Sequence, residues 1–186
     1  MPETHKIFMA YQQRLRQANA MDFDDLLTET YRLLKENEEI RQKYANRFQY
    51  VLVDEYQDTN YAQQMIVELL TKDNPHVCVV GDDYQSIYAF RGANISNILK
   101  FNKVYPTAKL FKLERNYRST KNIVSAATSL MKHNRGQIDK DVYSENADGD
   151  KVTVYETISD KREASIVCRE IKRLFKEEHL KYSDIA

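Results

Sequence analysis

The sequence predicts an α/β fold: a partial parallel sheet with flanking helices, preceded by a helical segment. Three observations carry this. An uninterrupted apolar run, Tyr50-Val51-Leu52-Val53, ends abruptly in Asp54-Glu55, as expected of a strand buried on both faces. A second run, Val77-Cys78-Val79-Val80, ends in Gly81-Asp82-Asp83. Between them Ala62, Met65, Ile66, Leu69 and Leu70 recur at helical spacing. Strand, helix and strand at this separation imply a parallel pair joined by a right-handed crossover.

The remaining elements follow in order. Helical periodicity over 4–19 rests on Ile7, Phe8, Tyr11 and Leu15, and over 22–36 on Phe23, Leu26, Leu27 and Leu34. Asp22 is placed to cap the second helix, with Asp25 at the reciprocal capping-box position. A polar, weakly periodic helix is expected near 37–46, strands at 50–54 and 76–80, and a helix at 60–71 capped by Asp58 or Thr59. Pro75 ends that helix, because the residue before proline resists the helical region. Residues 93–103 read as helical, and 108–113 (Leu110, Phe111, Leu113) as a short strand opening a second unit. Ser119 can cap a helix running to about 133. Residues 134–150 are loop-like, Val152, Val154 and Ile158 suggest a strand, and 160–178 a helix. Tyr182–Ala186 reads as the lead-in to a further strand.

The 186 residues suffice for one or two compact units with a core. No apolar stretch approaches the roughly 20 residues that span a bilayer, and the N-terminus lacks a signal layout. The expectation is a cytoplasmic chain with no membrane partner. Cys78 and Cys168 form neither a disulfide framework nor a metal spacing, and read as small buried residues in a reducing compartment. The net charge of zero conceals a strong asymmetry. Residues 91–135 carry 10 Lys/Arg against the single acid Glu114, while 1–90 carry 9 against 15. Such a stretch can track a polyanion, either a nucleic-acid backbone or a nucleoside triphosphate, or form a solvated helix face.

Three segments carry chemistry. Adjacent carboxylates at the carboxyl end of a parallel strand sit where open α/β sheets bind ligands. Asp54 there suits Mg²⁺, which takes one or two carboxylates plus phosphate oxygens, and Glu55 can orient and deprotonate an attacking water. Gln57 can reach a phosphate, a neighbouring loop or solvent. In Gly81–Ala93, Gln85 leaves the same sheet edge and can approach the same phosphate region. Tyr88, Phe90 and Arg91 suit base stacking and backbone pairing on a single strand, or alternatively Tyr88 and Phe90 are core side chains. In Leu113–Ser119, Arg118 can stabilise charge on a transferred phosphoryl group and Tyr117 can stack on a base, or the segment is an ordinary capped helix start. The partner of such a site, a GxxxxGK[ST] loop, does not occur in these residues: none of Gly81, Gly92, Gly136 and Gly149 precedes a Lys-Ser or Lys-Thr pair.

Taken together, DEYQDTN, GDDYQSIYAFRGA and LERNYRST, preceded by MDFDDLL at 21–27, resemble the superfamily one DNA helicases of the UvrD/Rep/PcrA type along essentially the whole chain. The resemblance implies two RecA-like domains of the P-loop NTPase type that close on ATP and move along single-stranded DNA, usually 3′ to 5′. It implies that 1–48 is the end of an inserted helical subdomain and its return, 49–106 the second part of the first RecA-like domain, and 107–186 the start of the second. It assigns Asp54 and Glu55 to magnesium and catalysis, and Gln85 to sensing the terminal phosphate. Phe90, where many relatives carry Trp, is assigned to base stacking with Tyr88 and Arg91 beside it. Tyr117 is assigned to adenine and Arg118 to the arginine finger. Implied cofactors are ATP and Mg²⁺, and implied partners are single-stranded and duplex DNA and the missing portions of the same motor.

The 186 residues alone are expected to be inactive for want of backbone N–H groups and a lysine around the β and γ phosphates. Three other readings stay open: a non-catalytic single-stranded DNA-binding module, part of a helicase–nuclease recombination subunit, and a stand-alone metal hydrolase built on Asp54, Glu55 and Asp58.

Overall fold

The structure, a computed structural model, describes residues 2–74 and 76–185. Met1, Pro75 with its expected helix-ending role, and Ala186 lie outside the described residues. The chain is mixed α/β and divides into two units, Met1–Glu114 with Thr128–Val142, and Arg115–Ala127 with Tyr143–Ala186.

In the first unit α1 (Pro2–Gln17), α2 (Phe23–Glu36) and α3 (Glu38–Arg47) precede β1 (Val51–Val53). The Asp22–Asp25 box caps α2 as expected, with reciprocal hydrogen bonds of 2.8 and 3.2 Å. Polar α3 is held by tertiary contact. Its Arg41, buried, pairs with Glu38, reaches Asp73 at 3.0 Å and donates to the Leu69 carbonyl at 3.4 Å near the end of α4 (Tyr61–Thr71). A cation over carbonyls at a helix C-terminus complements the helix dipole, so α3 is docked through charge where its apolar pattern is weak. Leu34 and Ala45 are buried in the helical part of the unit, where α2, α3 and α4 pack together.

β1 pairs in parallel with β2 (Val77–Val79), Val51 opposite Val77 and Val53 opposite Val79. The valines are half-buried, whereas Leu52 is 76 % exposed and Cys78 is exposed. The sheet is thus covered on one face only, which corrects the expectation of strands buried on both. The same geometry corrects Cys78 to an exposed thiol, and Cys168 on α8 (Asp160–Glu177) is exposed too. Short helices α5 (Ser96–Leu99) and α6 (Phe101–Val104) replace the single helix expected at 93–103, because Lys100 leaves helical geometry at φ −108°, ψ 12°. Tyr56 is the anchor of this region: 1 % exposed, edge-on to Phe101 at 5.7 Å, with Phe101 against Tyr105 at 4.6 Å.

The cap of α4 is neither Asp58 nor Thr59. Asn60 caps it in a reciprocal box with Gln63, at 2.9 and 3.0 Å. Asp58 closes a 3₁₀ turn over Tyr56–Asp58, and the buried Thr59 hydroxyl donates to the Tyr56 carbonyl at 2.7 Å, so both are committed before the helix begins.

In the second unit β3 (Arg115–Asn116) pairs in parallel with β4 (Tyr143–Ser144), connected through α7 (Lys121–Met131). The division between units falls within α7. Residues 108–113 and 152–158 are not strands, and β4 lies within the expected loop. Leu113 is 86 % exposed and Ile158 99 % exposed. Apolar residues make a strand only where a partner ladder accepts them, and no described strand pairs with either run. Ser119 does not cap α7, whose first N–H groups at Lys121 and Asn122 donate to the Ala147 and Asp148 carbonyls, each at 3.2 Å. Residues 182–184 form a 3₁₀ turn rather than the start of a strand.

Burial pushes the Tyr56 phenol from 10.0 up to about 12. A raised folded value means the stabilisation is complete below pH 10, where both states keep the proton, and is lost as pH rises towards 12. Urea midpoints measured across that window are expected to fall steeply, and a Tyr56→Phe variant is expected to fall less.

Candidate functional site

Two loops leave the carboxyl ends of β1 and β2, and one side chain joins them. After Asp54 the chain reverses at Glu55, a non-glycine residue in the left-handed region at φ 49°, ψ 42°. Such a conformation costs about 1–3 kcal/mol and persists where neighbours fix it. Here the Asp54 carboxylate accepts the Glu55 N–H at 2.9 Å, and the Tyr56 N–H donates to the Val80 carbonyl at 3.0 Å. The reversal sends Tyr56 into the core and leaves the Asp54 and Glu55 carboxylates exposed.

Gln57 is 1 % exposed. Its Nε2 donates to Glu55 Oε2 at 2.7 Å, and its Oε1 accepts the Asp82 N–H from the second loop at 3.0 Å. Of the three destinations open to Gln57, the neighbouring loop is the one it takes. This close approach needs the glycine before Asp82, since a Cβ on Gly81 would sit 2.5 Å from Gln57 Oε1 and 3.2 Å from the Tyr56 nitrogen.

The second loop is internally braced. The Asp82 carboxylate accepts the Tyr84 N–H at 3.1 Å, the Gln85 side-chain amide at 2.7 Å and Lys140 Nζ at 2.5 Å. Burial raises the Asp82 carboxyl, but hydrogen bonds from Lys140 and Gln85 outweigh it and hold it below its ordinary range. Burial likewise works against the Lys140 ammonium, which Asp82 and Asp83 return to above its ordinary value. Glu55, Gln57, Asp58, Gln85 and Tyr88 line one open groove of about 530 Å³. One Asp58 carboxylate oxygen is buried without a hydrogen-bond partner among the described residues.

Beside that groove Tyr88 and Phe90 lie 6.0 Å apart, tilted by 35°, with the Arg91 guanidinium 5.5 Å from each ring. Phe90 is 78 % exposed and Tyr88 40 %. Neither is a core side chain, so the open alternative is settled against burial. Cation and aromatic faces together form a surface on which a planar base can stack.

Tyr117 and Arg118 belong to the second unit. Asn116 Oδ1 accepts the N–H groups of Arg118 and Ser119 at 3.0 and 2.8 Å, and Asn146 Nδ2 donates to the carbonyls of Tyr117 and Ser119 at 3.2 and 3.1 Å. The backbone is held while both side chains stay exposed. Arg115, paired with Glu145 at 2.6 Å, lies 4.7 Å over one face of the Tyr117 ring. Among the described residues Arg118 forms no ion pair.

A Mg²⁺ ion needs few protein ligands. Among the described residues no group of three or more His, Cys, Asp or Glu is placed to hold a metal; Mg²⁺ keeps its waters and shares phosphate oxygens. The exposed Asp54 carboxylate, with one oxygen on the Glu55 N–H, fits that mode. No described helix is long and apolar enough to cross a membrane.

The sequence reasoning missed four residues: Asn60, Gly81, Arg41 and Lys140. A glycine directly after an apolar strand was a visible signal for Gly81. Nothing local marks Lys140, whose partners lie 57 and 58 residues away.

Comparison with known proteins identifies the family along the chain. Residues 1–106 match the UvrD/REP helicase N-terminal domain and 111–186 the UvrD-like helicase C-terminal domain. The ATP-dependent DNA helicase PcrA of Staphylococcus epidermidis is 46% identical over 180 residues, 97% of this chain and 25% of the relative. The protein of the same name from Leuconostoc citreum is 42% identical over 181 residues, and that from Staphylococcus aureus 44% over 180, each covering 97% of this chain and 24% of the relative. The chain therefore spans about a quarter of the length of these relatives. It belongs to the UvrD/REP helicase family.

Proposed function

We propose that the chain is a segment of an ATP-dependent DNA helicase motor, in which ATP hydrolysis drives movement on single-stranded DNA, 3′ to 5′, and unwinding of duplex. The observation that carries this is one groove holding Glu55 and Gln85 from two loops on paired parallel strands, with the Tyr88–Phe90–Arg91 surface adjoining. Family membership and the printed names of the relatives support it. We assign 1–48 to the end of an inserted helical subdomain and its return, 49–106 to the second part of a first RecA-like domain and 107–186 to the start of a second.

In this reading Glu55 orients the attacking water and accepts its proton, its carboxylate held in place by the Gln57 amide. Gln57 acts on the nucleotide through Glu55, because its own amide is spent within the protein. Asp54 holds Mg²⁺, which when bound neutralises charge on the phosphates. Gln85 hydrogen-bonds the terminal phosphate. Tyr117 stacks on adenine, using the ring face not covered by Arg115, and Arg118 offsets charge on the transferred phosphoryl group. Phe90 and Tyr88 stack on DNA bases and Arg91 pairs with the backbone.

A second reading is favoured by one observation: Tyr88, Phe90 and Arg91 lie together at the surface, whereas a GxxxxGK[ST] loop is not among these residues. On that reading the 186 residues bind single-stranded DNA without catalysis.

Two outcomes are expected. The purified chain releases no phosphate from ATP in a DNA-dependent manner above the level of a Glu55→Gln variant; turnover abolished by that substitution would contradict this. Fluorescence titration with a single-stranded oligonucleotide detects binding that weakens as salt rises. Phe90→Ala is expected to weaken it by about 1–3 kcal/mol, roughly 5- to 150-fold in Kd; binding unchanged by Phe90→Ala removes the DNA surface from the proposal.

A further inference from the structure

Lys140 has no place in the roles above, yet its ammonium is closely engaged by the second loop. Its ammonium touches three consecutive residues of the second loop. It donates to Asp82 Oδ1 and Asp83 Oδ1, each at 2.5 Å, and sits 3.8 Å above the centre of the Tyr84 ring. The lysine side chain is 13 % exposed and that of Asp83 2 %. Asp83 Oδ2 also accepts the Ile138 N–H at 2.8 Å, so segment 138–140 grips the loop through backbone and side chain together.

The consequence lies one step further along. Asp82 offers two oxygens: Oδ1 to Lys140 and the Tyr84 N–H, Oδ2 to the Gln85 side-chain amide at 2.7 Å. Two adjacent carboxylates repel each other, and a buried carboxylate without a counter-charge is costly. Lys140 removes both penalties and fixes the carboxylate on which Gln85 rests. Gln85 is exposed and has no other side-chain partner among the described residues, so its direction into the groove depends on Asp82 alone.

The geometry points to Lys140 as a positioning residue that sets Gln85, through Asp82, for the terminal phosphate of a nucleoside triphosphate. The phosphate half of this statement rests on the reading of Gln85 given above. The positioning half does not.

The test is NMR of the full 186-residue chain, following the Gln85 side-chain amide, with thermal unfolding of every variant as a check on folding. In the unaltered chain a distinct resonance set apart from the solvated glutamines is expected. Lys140→Met is expected to remove that distinction while backbone resonances of β1 and β2 stay in place, and Lys140→Arg to restore it. Because Lys140→Met leaves Asp83 buried and unpaired, Lys140→Met/Asp83→Asn is measured alongside it; removing both charges preserves folding, and the same loss at Gln85 is expected. A Gln85 amide unchanged in folded Lys140→Met or in the double variant overturns the inference. Addition of millimolar Mg²⁺–ATP, with Mg²⁺–AMP as control, tests the underlying reading separately. A response of Gln85 to ATP larger than its response to AMP supports it, and a response equal to that with AMP overturns the phosphate role while the variants still decide the positioning role.

Discussion

The buried amide of Gln57 is the contact on which the rest of the site depends. It gives its N–H to the Glu55 carboxylate and takes the Asp82 N–H, so a single side chain fixes the first loop against the second. Everything around it is shaped to permit this. Gly81 leaves room for the amide oxygen, the left-handed turn at Glu55 brings the carboxylate back over it, and Tyr56 seals the underside against Phe101. A buried amide is tolerable only with its donors and acceptor satisfied; here satisfying them is what builds the groove.

That arrangement separates buried, bonded side chains from exposed ones. Gln57, Asp82 and Lys140 are wholly or partly buried and bonded to one another's loops, whereas Asp54, Glu55, Gln85, Phe90 and Arg91 are exposed. The second unit repeats the division. Asn116, Ser144 and Asn146 hold the backbone of 117–119, leaving Tyr117 and Arg118 free at the surface. Gly149 belongs to the same scaffold, with φ 68° and a Cβ position 2.5 Å from Thr120. On the proposed reading, groups presented on such a pre-ordered frame need little rearrangement when charge develops.

The first unit was legible because its signals are local. Two apolar runs ending in carboxylates and a helical period between them located β1, α4 and β2, and the Asp22–Asp25 box was readable from spacing alone. The cap of α4 was misplaced by one or two residues because Asp58, Thr59 and Asn60 are all competent caps; the 3₁₀ turn, invisible to periodicity, decides among them. Strands at 108–113 and at Val152, Val154 and Ile158 were read from apolar residues that no described strand pairs with. Long-range charge was hidden altogether: Arg41 and Lys140 resemble surface cations, and only folding brings them to Asp73, Asp82 and Asp83.

The most direct test of the Gln57 bridge is hydrogen exchange at the Asp82 backbone N–H, in the unaltered chain and in Gln57→Ala. With the bridge in place this N–H is expected to be protected, and the substitution is expected to release it while the ladder amides of Val51 and Val80 remain protected. An Asp82 N–H that exchanges freely in the unaltered chain, or is equally protected in Gln57→Ala, would mean that the two loops are held together by something else.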